Sequence, residues 1–104
     1  MGQPDDAPAD AAAELDLAVV LHALGDPVRL DLVRRMAEHG ESACSPDGVD
    51  VARSTLSNHW RILREAGITR TRRAGKARLM TLRRADLDAR FPGLLAAALG
   101  TDGR

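Results

Sequence analysis

The hydrophobic period of this chain changes at Gly67, and that change limits the folds open to it. Before it, Leu56, Trp60 and Leu63 repeat at intervals of four and three residues, the spacing of one buried face on an α-helix. After it, "ITRTRRAGKARLMTL" alternates apolar or β-branched residues with basic ones, and "RAGK" supplies a turn midway. The reading is a helix over about 53–66, closed by Gly67, that runs into a β-hairpin. Its strands are expected over about Ile68–Arg73 and Lys76–Leu82, with the turn at Ala74-Gly75.

The remaining segments read mainly as helix. In "ELDLAVVLHALGD", Leu15, Ala18, Val19, His22 and Ala23 fall at helical spacing, predicting a first helix from Glu14 to Leu24 with Gly25 ending it. A second helix is bracketed by Asp26 as N-cap, Pro27 in its first turn and Gly40 at its end. Val28, Leu32, Val33 and Met36 form its apolar stripe, which leaves Arg29, Arg34, Arg35 and Glu38 mainly toward water. The linker "ESACSPDGVDVAR" carries turn signals and room for one short helical turn at most, anchored by Val49 and Val51. "RADLDARFPGLLAAALG" predicts a last helix through Leu99 that Pro92 either starts or breaks.

A chain of 104 residues with one Phe, one Trp and no Tyr builds its single core from Leu, Val, Ile and Ala, which suits helices better than a β-sandwich. The expected architecture is mainly α with a small β-hairpin, in the order helix, helix, short turn, helix, hairpin, helix: a winged helix-turn-helix domain over 14–99. Residues 1–13, rich in Pro, Asp and Ala, form a disordered lead-in, and 100–104 a frayed end. One cysteine, no apolar run of membrane-spanning length and no signal-like N-terminus give the expectation of a soluble, cytoplasmic protein without membrane association.

The formal net charge of zero conceals a segregation. Residues 53–84 hold ten bases against one acid, a block of +9, while residues 1–26 hold six acids and no base. Such a block is either a footprint for a polyanion or a solvated face answered by acidic neighbours. A helix that starts with small polar and basic residues has the width of the DNA major groove and donors for base edges. A hairpin bearing Arg72, Arg73, Lys76 and Arg78 sets charge beside that groove. Arg61 and Arg64, farther along the helix, suit phosphate or plain surface, and Trp60 at stripe spacing suits the core. His59 stands at the stripe's edge, where either phosphate contact or packing on the linker is open to it.

"ALGDPVRLDLV", "STLSNHWRILREAGI" and the basic wing, in this order across about Leu21 to Leu82, closely resemble the ArsR-type (ArsR/SmtB) winged helix-turn-helix regulators of bacteria. The resemblance implies a homodimer that binds a two-fold symmetric site on double-stranded DNA and usually represses transcription. The family's DNA-contacting positions fall on Arg53, Ser54, Thr55, Ser57, Asn58 and His59, and its wing positions near Arg72, Arg73, Lys76 and Arg78. The family's dimer packs through the first and last helices, which brings Leu15, Val19, His22, Leu87, Leu94, Leu95 and Leu99 to the interface.

The chain departs from that pattern in its linker and in its sensor. The family's helix before the recognition helix is shortened here by about two residues. Its metal sensors carry a Cys-x-Cys pair, where this chain has "SACSPD" and the lone thiol of Cys44. Others pair Asp and His on the last helix, whereas Asp86 and Asp88 have no histidine after them. No cofactor is evident, a metal effector stays open with both usual ligand sets incomplete, and Cys44 is the one sensor candidate. Paired carboxylates in a cleft, phosphate-binding glycine loops and a nucleophile beside an orienting base are all missing, so an enzyme is not expected. The competing reading is a winged-helix interaction module whose basic face meets an acidic protein partner.

Overall fold

The computed structural model describes residues 14–44, 46 and 48–100. The lead-in expected over 1–13 and residues 101–104 of the frayed end lie outside them. The elements are α1 (Leu17–Leu24), α2 (Pro27–His39), β1 (Glu41–Ala43), α3 (Arg53–Glu65), β2 (Thr69–Ala74), β3 (Ala77–Leu82), α4 (Arg84–Arg90) and α5 (Leu94–Leu99).

α1 starts at Leu17 rather than Glu14, because the Asp16 carboxylate accepts the Val19 N–H at 3.2 Å and caps the helix there. α2 begins and ends as its sequence demands. Asp26 Oδ2 accepts the N–H groups of Val28 and Arg29 at 2.9 and 3.1 Å, and Gly40 closes the helix at φ +92°. These two hydrogen bonds, led by the Arg29 N–H, hold the Asp26 carboxyl below its ordinary value.

The linker keeps within the expected limit of one helical turn, and the departure is a strand at its start. The described residues between Ala43 and Arg53 contain no helical turn, and a strand the sequence did not announce, β1, precedes them. β1 pairs antiparallel with β3, Glu41 opposite Thr81, so the hairpin becomes a three-stranded sheet in the order β1-β3-β2. The hairpin turns at Gly75-Lys76, one residue later than the sequence suggested. The last helix is broken into α4 and α5 around Pro92, with Gly93 in the left-handed conformation.

Gly67 makes the passage from α3 to β2 at φ +82°. A Cβ there would stand 2.5 Å from Leu15 Cδ2, so the site admits no side chain without displacing the core. Leu32, Met36, Leu63, Ile68, Leu87 and Leu95 are fully buried at the centre. Val49 and Val51 pack against its edge, as the linker reading anticipated.

The same core corrects the interface set. Leu15, Leu87, Leu95 and Leu99 are covered by their own chain, with Leu95 at 0% exposure, and belong to the core. Among the described residues, the large apolar side chains left exposed lie on α1: Leu17, Val19 and Leu21 are 45–48% exposed. Val19 and His22 of the expected set are exposed, and Leu94 is half-buried.

Candidate nucleic-acid interface

α3 presents two faces of opposite character. Leu56, Trp60 and Leu63 are buried, as their spacing requires, and the Trp60 indole N–H donates to the Cys44 carbonyl at 2.8 Å. Arg53, Ser54, Thr55, Ser57, Asn58, Arg61 and Arg64 are exposed. Arg61 is held along this outer face, donating through Nη1 to Glu65 at 3.1 Å and through Nη2 to the Asn58 carbonyl oxygen. That leaves the Asn58 amide N–H groups pointing away from the pair. The start of α3 carries no side-chain cap at Ala52, so its first N–H groups are open to an outside acceptor.

His59 does not belong to this face. Its ring is buried, with Nδ1 3.1 Å from Arg29 Nη1 and Nε2 3.9 Å from Asp26 Oδ2. Arg29, which helical spacing assigned to water, is buried as well. Its Nε donates to the Ala23 carbonyl at 2.6 Å and its Nη2 to that of His22 at 3.3 Å. No signal in the sequence marks this pair, because every acceptor of Arg29 comes from another element.

The hairpin divides its charges between its two faces. Directly opposed residues of an antiparallel pair share a face, and successive residues alternate. Arg73 is opposite Arg78 and Thr71 opposite Met80. Thr71, Arg78 and Met80 line a cleft of about 100 Å³ together with Ser57, Trp60 and Arg64 of α3, and with Cys44. The Arg73–Arg78 face is therefore the one turned toward α3. Arg72 lies on the other face, where its guanidinium grips both oxygens of Glu41 at 2.8 Å. The Arg72 hydrogen bonds draw the Glu41 carboxyl below its ordinary value and the carboxylate raises that of Arg72. Arg72 is thus removed from the group that faces α3. Lys76, in the turn, is exposed.

At the base of the wing a wider hollow of about 350 Å³ is lined by Arg70, Arg83, Arg84 and Asp86. Asp86 pairs there with Arg83 at 3.1 Å and Arg70 at 3.6 Å, and Arg84 with Asp88 at 3.5 Å, so most of this charge is answered internally. Among the described residues no group of three or more His, Cys, Asp or Glu side chains is placed to hold a metal ion. Cys44 is exposed, its Sγ 3.9 Å from the Arg78 carbonyl oxygen. Among the described residues, no helix is long and apolar enough to cross a membrane.

The family model for a helix-turn-helix domain matches residues 24–72, from the end of α1 through the recognition helix into the wing. The HTH-type transcriptional regulator YceK of Bacillus subtilis (strain 168) is 33% identical over 81 residues, 75% of this chain and 81% of that protein. An HTH-type regulator of Methanocaldococcus jannaschii is 38% identical over 61 residues, 56% of this chain and 67% of its own length. In solved structures, the transcriptional repressor BigR from Xylella fastidiosa superposes with a TM-score of 0.58 at 33% identity, over 72% of this chain and 85% of that one. An ArsR family transcriptional regulator superposes with a TM-score of 0.62 at 25% identity, over 70% and 81%. The fold and these relatives are those of DNA-binding regulators, which are not enzymes. With helix, helix, recognition helix and wing in the same order, this chain belongs to the ArsR family of winged helix-turn-helix transcriptional regulators.

Proposed function

We propose that two copies of this chain bind a two-fold symmetric duplex and repress the promoter that contains it. α3 enters the major groove, where Ser57 and Asn58 read base edges and Arg53, Ser54, Thr55 and Arg61 meet the sugar-phosphate backbone. The wing lies along the flanking backbone and minor groove through Arg73, Lys76 and Arg78. His59 and Arg72 take no part in the contact.

The observation that carries this reading is the cross-strand pairing of Arg73 with Arg78 on the face shared with α3. Like charges directly opposite destabilise a sheet, and a polyanion converts that cost into attraction. Dimerisation rests on α1, whose exposed arc presents Leu17, Val19 and Leu21 to solvent. Repression is carried over from the repressor that shares the fold.

Selection from a random duplex library, followed by titration of the enriched duplex at rising salt, tests the proposal. A two-fold symmetric sequence is expected. If the dimer neutralises about six phosphates, its affinity falls roughly a thousandfold between about 50 and 200 mM salt. Absence of enrichment, or a flat salt response, overturns it.

A further inference from the structure

In its first turn the recognition helix α3 buries one side chain, Leu56. Ala52 supplies no capping side chain, and the described residues between β1 and α3 form no helix that could brace its first turn. Beside the apolar packing of Leu56, Trp60 and Leu63, its polar ties to the rest of the domain sit at mid-length, at His59 and Trp60. Trp60 ties it to the backbone of Cys44, and His59 ties it to Arg29.

The Arg29 end of this link reaches a different element. A guanidinium only donates, so His59 Nδ1 is the acceptor of the 3.1 Å contact, which puts the proton of the neutral ring on Nε2, toward Asp26. The other arms of the same group hold the carbonyls of His22 and Ala23 in the last turn of α1. One planar, buried group therefore joins the end of α1 to the middle of α3. A lysine ammonium, a single point of charge, lacks the fork to serve all three acceptors.

We propose that Arg29 is a positioning residue that sets the angle of α3 against α1, and through it the separation of the two recognition helices in the dimer. This rests on the dimeric DNA reading above. A second copy seated on the exposed arc of α1 sees α3 across the Arg29 link, so the link fixes which half-site spacing the pair fits. Half-sites lie about one helical turn apart, and a change of one base pair moves them by about 3.4 Å and rotates them by roughly a tenth of a turn.

The probes are the duplex enriched by the wild-type protein and two derivatives with one base pair added or removed at its centre. The wild type binds both derivatives at least about tenfold more weakly. Arg29→Lys and His59→Phe, the latter leaving the bonds to α1 intact, bind all three duplexes within about twofold of each other. Both keep the wild-type penalty for a mismatched base inside a half-site. Either variant, if folded and dimeric, that still discriminates spacing as the wild type does overturns the proposal. So does a wild type indifferent to spacing. Loss of the fold in both variants assigns Arg29 to stability alone and likewise overturns it. A wild type that enriches no duplex sinks the DNA reading itself, a result obtained before any variant is made.

Discussion

Arg72 and Arg73 are neighbours in sequence and opposites in circumstance. Arg72 is bound two-pronged to Glu41 on the face away from α3, while Arg73 stands exposed beside Arg78 on the face toward it. Arg73→Ala and Arg78→Ala, each removing two phosphate contacts from the dimer, should each weaken binding to every duplex and lower the slope of log affinity against log salt by about 1.8. Arg72→Ala should leave that slope nearly unchanged; anisotropy titrations across a salt series measure all three. The Asp26 carboxylate offers a second test at this scale. Its pKa is depressed on folding, so its contribution is fully present above about 3.8 and is lost as pH falls through the lower folded value. Asp26→Ala should cost about 0.5–2 kcal/mol in urea unfolding at pH 7, a difference that narrows in acid. Asp26 as a cap is readable from its place before Pro27. Arg29 is not, since its three acceptors meet only after the chain has turned at Gly25 and α3 has packed back with His59 against it.

Among the elements, α3 and the hairpin announce themselves because a period of 3.6 and a period of 2 leave different marks over ten or more residues. β1 has three residues, too few for any period, and exists because β3 offers it an open edge. The linker after it shows turn chemistry in Pro46 and Gly48, and its described residues form neither helix nor strand. Which residues of α3 face outward also follows from the stripe, apart from His59, whose edge position left two environments open. On that outward face, Ser57→Ala or Asn58→Ala should cost about 1–3 kcal/mol on the selected duplex and little on unrelated DNA. Arg73→Ala weakens both alike, and competition titrations against nonspecific duplex separate the two behaviours.

For the whole molecule, a leucine stripe says that a residue is covered and not by which chain. Leu15, Leu87, Leu95 and Leu99 read equally well as core or as interface, and the fold assigns them to the core. Leu95→Glu should therefore unfold the monomer, at a cost above about 2 kcal/mol, rather than split a dimer. Leu17→Glu or Leu21→Glu should yield folded monomers with weakened operator binding, with sedimentation and circular dichroism reporting assembly and fold separately.

The single tryptophan of this chain lines the cleft between the reading helix and the wing, its indole N–H bonded to the backbone of Cys44, which lines the same cleft. Its ultraviolet emission consequently has one source and one location. Spectroscopy on the unlabelled protein senses that crevice alone, which makes the molecule its own gauge of whether the crevice has been disturbed.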